Sequence, residues 1–126
     1  MQLGNHSLTL MRKYQEAAIH FMPWKDRERV VRAGYMSGDF TNKAERLGFN
    51  LIKAEKLQHT NLVEGADTIF ETMVVKELPG ISHEFAPFVM DVVAVHGQVK
   101  ASERQPILFM KEYEFATTGE GWRFQR

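Results

Sequence analysis

The stretch FTNKAERLGFNLIKAEKLQ, residues 40–58, decides how the rest of the chain is read. Phe40, Ala44, Leu47, Leu51 and Ala54 step by four, three, four and three residues, the spacing that lays one apolar stripe along an α-helix. Lys43, Glu45, Arg46, Lys53, Glu55 and Lys56 fall largely outside that stripe, as a solvated far side requires. Asp39, in the SGD break at 37–39, is well placed to cap a helix starting at Phe40. An interior Gly48 costs roughly 1 kcal/mol relative to alanine, which leaves the pattern standing. The spacing predicts a long helix running to about Gln58.

Two more helices are expected upstream. Ser7 caps a segment in which Leu10, Tyr14, Ala17 and Phe21 recur at helical spacing, and Pro23 ends it, because proline disfavours helical geometry in the residue before it. The next runs from about Trp24 to Tyr35 and gathers Val30, Val31, Gly34 and Tyr35. Downstream of about Ala66 the period falls to two: Ile69, Glu71, Met73 and Val75 alternate with Phe70, Thr72 and Val74. LPG at 78–80 punctuates, a second strand is expected from Phe88 to Lys100, and a third from Pro106 to Ala116. Thr117-Thr118-Gly119-Glu120 carries turn chemistry. A hairpin there puts Tyr113 and Phe115 on one face with Trp122 and Phe124, and Glu112 and Glu114 on the other with Arg123 and Gln125.

Helices first and strands after give a single α+β domain over 1–126, helical over 7–59 and sheet over 66–126, with about three helices packed on a curved antiparallel sheet of about four strands. The 126 residues are 44% hydrophobic and 25% charged, the make-up of an ordinary globular domain. Sixteen basic and sixteen acidic side chains cancel. That balance argues against nucleic acid, whose binders draw their affinity from a basic excess. The absence of cysteine excludes disulfides, thiol catalysis and Cys-ligated zinc. No segment approaches the roughly 20 apolar residues that span a bilayer, and the N-terminus lacks the charged start and apolar run of a signal peptide. The expectation is a cytoplasmic protein with no membrane partner.

AGYMSGDF at 33–40 is similar to the helix–GD–helix turn, and GEGWRFQR at 119–126 to the final strand, of the cystatin-like α+β roll, the superfamily of nuclear transport factor two and the SnoaL-type cyclases. The resemblance implies a conical cavity under a curved sheet, commonly in a dimer. Members include isomerases, dehydratases and cyclases as well as non-catalytic binding subunits and secretion scaffolds, so fold alone does not choose among them.

Asp91 shares a parity with Val89, Val93, Val95 and Val99 on an otherwise apolar face. A carboxylate desolvated there would serve as a general base, whereas at a strand end it would be solvated or paired with a cation. His96 falls on the opposite parity, and only a bulge, at Gly97 for example, would bring the two together. Tyr14, Tyr35 and Tyr113 are candidate hydrogen-bond donors beside such a base, or core residues with a wet tip. His83 and Glu84 lack further ligands at metal spacing, and the chain carries no phosphate loop, HExxH or GxSxG motif. Neither cofactor nor metal is called for. WKDRERVVR at 24–32 reads as a solvated helix face. The apolar character of both faces of 88–95 calls for a second cover, expected to be another subunit.

The function expected on this basis is a small-molecule-binding or protein-interaction domain of the cystatin-like type, without a catalytic signature, taking a small apolar ligand and forming a homodimer through the sheet. The alternatives are a cofactor-independent lyase or isomerase, and an accessory subunit of a phage, plasmid or secretion assembly.

Overall fold

The structure is a computed structural model that describes residues 1–36, 42–97, 105–118 and 120–125. It runs α1 (His6–Tyr14), β1 (Glu16–Phe21), a 3-10 turn (Trp24–Asp26), α2 (Arg27–Gly34), α3 (Lys43–Leu47), β2 (Leu51–Lys53), β3 (Asn61–Val63), β4 (Thr68–Glu77), β5 (Phe88–His96), β6 (Leu108–Lys111), β7 (Glu114–Thr117) and β8 (Glu120–Arg123). The strands form three antiparallel sheets, ordered β1-β4-β5, β2-β3 and β6-β7-β8. This corrects the expected three helices on a single four-stranded sheet: among the described residues the regular structure is mostly strand, with three short helices.

The helix expected over 40–58 is five residues long, and residues 40 and 41 lie outside the described set. The Asn42 side chain caps it by accepting from the Glu45 N–H at 3.3 Å. Gly48, at φ +74°, ends it: the N–H of Phe49 turns back to the Ala44 carbonyl, so the glycine is a helix terminator and not an interior cost. The apolar residues beyond it serve a different geometry. Leu51 and Ile52 pair with Val63 and Leu62, while Ala54 and Leu57 pack with Leu62 and Ile69 in the core.

The first predicted helix is also cut short. Gln15 takes a left-handed conformation at φ +58°, and its side-chain amide donates to the carbonyls of Met11 and Arg12. Glu16 to Phe21 then leave as a strand paired with β4. Ala17 and Ala18 favour helix by propensity, but propensity is a weak prior against a full strand pairing. The predicted third strand is broken in two by a turn in which Glu112 sits at φ +46°, separating β6 from β7. The closing hairpin keeps its predicted register, Phe115 opposite Trp122 and Glu114 opposite Arg123, with a carboxylate–guanidinium distance of 3.6 Å.

Directly opposed residues of antiparallel strands share a face. In β1-β4-β5 three rows make one face: His20–Ile69–His96, Ala18–Glu71–Ala94 and Glu16–Met73–Asp91. The other face carries Ile19–Phe70–Val95 and Ala17–Thr72–Val92. The register shifts between Ala94 and Val92, leaving Val93 as the bulged residue. That shift puts Asp91 and His96 on one face, and it lies at Val93 rather than at Gly97. The first face is covered by residues 54–63, and the core of Ala54, Leu57, Leu62 and Ile69 lies between them. Among the described residues no helix is long and apolar enough to cross a membrane.

Candidate functional site

Two places gather polar side chains. The first is the covered sheet face, where side chains do the work of a neighbouring strand. Glu71 is fully buried and its carboxylate accepts from the N–H groups of Glu55 (3.0 Å), Lys56 (2.7 Å) and Leu57 (3.1 Å), and from the His96 ring. Glu16, also buried, accepts from the N–H groups of Gln58 and His59. The Val63 N–H donates to His20 Nε2 at 2.8 Å, and His20 Nδ1 lies 3.2 Å from the Ala18 carbonyl. The acceptor role of Nε2 requires the neutral ring with its proton on Nδ1.

The electrostatics follow from those bonds. Burial acts to raise the Glu71 carboxyl, but the Lys56 N–H, the His96 ring and the N–H groups of Glu55 and Leu57 outweigh it and hold the group down at about 2. Burial lowers the pKa of His20, opposed by its bond to the Ala18 carbonyl. Glu55, Glu71 and His96 bring three ligand-type atoms within 4.8 Å of one another. Both Glu71 oxygens are already engaged by backbone donors, so a cation would have to displace the bonds that hold 55–57. The trio is accounted for by the segment it anchors.

The second place is a cleft of about 610 Å³ between the end of β1, helix α2 and the β6–β7 hairpin. Phe21, Met22, Val31, Ile107, Phe109 and Phe115 give it apolar walls, and Tyr35 stands among them. Its polar lining is His20, whose two nitrogens are both engaged, and the carboxylates of Asp67 and Glu112; no lysine or arginine lines it among the described residues. The volume and apolar character are those of a small-ligand site. Beside it Arg27 lies over the rings of Trp24 and Trp122, at 4.6 and 5.1 Å from their centroids, and Tyr35 stacks on Phe124 at 5.4 Å.

The residues singled out in the sequence are dispersed. Asp91 is exposed and opposes Met73. His96 engages Glu71 and stands 4.0 Å from Glu55. Tyr14 packs against His59 at 4.9 Å and does not line the cleft. Tyr35 lines the cleft and lies 6.2 Å from Tyr113. The side chains that sequence reasoning missed are Glu16, Glu71 and His20. Their one legible signal was an ionisable residue on the inward parity of an apolar strand.

No protein-family model matches the chain, and no curated protein sequence does. Solved structures do. The 2-nitrobenzoate 2-nitroreductase of Pseudomonas fluorescens superimposes with a TM-score of 0.76 at 18% identity, over 95% of this chain and 64% of that one. An FMN-binding protein from Thermus thermophilus gives 0.77 at 18% identity, over 93% and 65%. The flavoredoxin of Desulfovibrio vulgaris (Miyazaki F) gives 0.73 at 13% identity, over 100% and 68%. The chain thus spans less than two-thirds of the length of the first two. At these identities the likeness shows the fold, an antiparallel barrel-like architecture, and it overturns the cystatin-like roll and the SnoaL-type kinship. The binding-domain, lyase or isomerase and assembly-subunit functions drawn from that kinship fall with it.

Proposed function

We propose that the chain is a flavin-binding domain of the flavin-reductase and flavoredoxin type, with the cleft beside α2 receiving the flavin ring system. The observation that carries the reading is an apolar, aromatic-walled cleft of about 610 Å³ in a fold shared with proteins named as FMN-binding, flavoredoxin and nitroreductase. A bound flavin would supply hydride and single-electron transfer, chemistry that the chain's own side chains, without a cysteine, do not offer.

The residues fit one part of the group and not the other. Phe21, Val31, Ile107, Phe109 and Phe115 suit a flat apolar tricycle, and a carboxylate of Asp67 or Glu112 suits the one N–H of its oxidised form, at N3. The same two carboxylates repel a phosphate, and the cleft has no cation among its described residues to receive one. The chain's part is to bury the ring and exclude water from it. The phosphate end has to be held by groups outside this cleft.

Titrating riboflavin and FMN into the protein while following flavin fluorescence tests this. The expected result is binding of both with affinities within about threefold, since a phosphate without a cationic partner adds little, and a loss of at least tenfold for Phe109→Ala. Unquenched fluorescence of both flavins at 100-fold molar excess of protein would overturn the reading.

A further inference from the structure

The cleft between β1, α2 and the β6–β7 hairpin sets two carboxylates, Asp67 and Glu112, among the rings of Phe21, Phe109 and Phe115. The backbone fixes both acids. The Asp67 N–H donates to the Phe21 carbonyl at 2.8 Å, and the Asp67 carbonyl oxygen lies so close to Gly97 that a Cβ there would come within 2.2 Å of it. Glu112 sits at φ +46° in the turn between β6 and β7, a conformation that residues with a Cβ rarely adopt. The cations nearby are engaged with other groups. Of the arginines on α2, Arg29 pairs with Asp26 at 2.6 Å, Arg32 with Glu28 at 2.9 Å, and Arg27 lies over the rings of Trp24 and Trp122. Lys111 and Arg123 both face Glu114, at 3.7 and 3.6 Å. Among the described residues, Asp67 and Glu112 therefore have no ion-pair partner, and their carboxylates accept no hydrogen bond.

An oxidised flavin ring brings one N–H to this cleft and leaves the second carboxylate unanswered. Two negative charges beside open aromatic faces attract a cation that is itself aromatic: the ring is covered by the walls, and the positive charge gains from the carboxylates and from the faces of the rings together. Phe21 is 49% exposed and Phe109 67%, so their rings are open to a ligand. We propose that the cleft also binds planar aromatic cations, fused rings that carry a protonated or quaternary nitrogen, with Asp67 and Glu112 selecting the positive charge and Phe21, Phe109 and Phe115 receiving the ring. The cleft then ranks ligands of one shape by charge, cation over neutral ring over anion. The inference rests on the charge and the walls of the cleft and stands or falls separately from flavin binding.

Fluorescence titration of the full chain with proflavine, a tricyclic aminoacridine cation, tests it. The expected Kd at about 20 mM NaCl is below about 100 µM, and it rises about fivefold at roughly 500 mM NaCl, because salt screens the attraction. Acridine-9-carboxylate, a tricycle of similar shape and opposite charge, is expected to bind at least about 50-fold more weakly than proflavine. Asp67→Asn combined with Glu112→Gln is expected to weaken proflavine at least about 20-fold while riboflavin stays within about threefold, since an amide carbonyl still accepts a ring N–H but carries no charge. If that pair does not fold, Glu112→Gln alone, in an exposed turn, carries the test with an expected loss of at least about fivefold. Proflavine binding without riboflavin binding would uphold this inference and count against the flavin reading; riboflavin binding without proflavine binding would do the reverse. A proflavine Kd above about 100 µM, equal affinity for the cationic and anionic tricycles, or variants that bind proflavine as the wild type does would each overturn the proposal.

Discussion

The His96 ring donates to the carboxylate of Glu71, and that same carboxylate takes the backbone N–H groups of three consecutive residues, Glu55, Lys56 and Leu57. One buried side chain thus replaces the hydrogen bonds that a neighbouring strand would give this segment. With Glu16 and His20 in the adjoining rows, it fixes 54–63 on the sheet without β-pairing to it. The arrangement holds Leu57 and Leu62 over Ile69 and so completes the small core.

Removing the charge while keeping the shape measures this anchor. Glu71→Gln places an amide NH₂ against donors that need an acceptor. The expected loss is about 3 kcal/mol, in the range for breaking a buried charged hydrogen-bond network, read by urea denaturation at pH 7.5. His96→Ala removes one of the four donors and is expected to cost about 1 kcal/mol. A Glu71→Gln variant within 0.5 kcal/mol of wild type would mean that the segment is held by its apolar contacts alone.

The pH dependence has two windows. Glu71 has its folded pKa depressed to about 2, so its contribution is complete above the unfolded value and is lost as pH falls from the ordinary carboxyl range toward 2. His20 is held neutral with a lowered pKa. Its contribution is complete above the ordinary histidine value of about 6.5 and declines as pH falls through the folded value. Stability is therefore expected to be flat above pH 7, to decline below about 6.5, and to fall again in the acid range. His20→Asn removes the titrating ring and is expected to flatten the upper window, with urea midpoints at pH 7.5, 6.5 and 5.5 as the readout. An unchanged upper decline in that variant would rule out His20 as its source.

Gly97 and Gly65 separate steric from conformational cost. Both have positive φ, +129° and +95°. A Cβ on Gly97 would lie 2.2 Å from the Asp67 carbonyl oxygen, whereas one on Gly65 meets nothing within 4 Å. Gly65→Ala is expected to cost about 1 kcal/mol from the left-handed backbone alone. Gly97→Ala is expected to cost at least about 3 kcal/mol, because the backbone of Asp67 has to shift. Chemical denaturation of the two variants decides it, and equal losses would refute the clash.

Trp122 joins the β6-β7-β8 sheet to the 3-10 turn and α2: its ring meets Trp24 edge-on at 6.3 Å and carries Arg27 at 5.1 Å, and beside it Phe115 and Phe124 lie at 6.1 and 5.9 Å. Trp122→Ala is expected to destabilise by about 3 kcal/mol, a drop in melting temperature of roughly 10 °C for a domain of this size. A shift below 2 °C would show that this sheet is held by other contacts.

The sequence was legible at the closing hairpin and in β4 and β5, and it missed the local β2–β3 and β6–β7 pairings. The closing hairpin was readable in full, because turn chemistry at 117–120 and the alternation on either side leave a single register that puts Phe115 against Trp122. Strands β4 and β5 were readable from period two and their β-branched content. The 40–58 stretch was not, because Phe40, Ala44, Leu47, Leu51 and Ala54 satisfy a helical template by coincidence while Gly48 acts as a stop. Ala17, Ala18 and Phe21 deceived in the same way. Among the candidate site residues, Tyr35 reached the cleft; Asp91 remained on the exposed end of its sheet face, and His96 was taken up by Glu71.

The amino-acid sequence by itself determined the closing turn at 117–120 and the register across it, the positions of β4 and β5, and the absence of thiol chemistry. Those properties depend on neighbours a few residues away. Only the tertiary structure decided that 16–21 and 51–53 are strands, that Val93 is bulged so that Asp91 and His96 share a face, and that Glu16, Glu71 and His20 serve as acceptors for a distant segment. Each of those outcomes depends on a partner 8 to 57 residues away along the chain, from Lys53 with Asn61 to Glu16 with Met73, and local propensity carries no record of which partner the folded chain supplies.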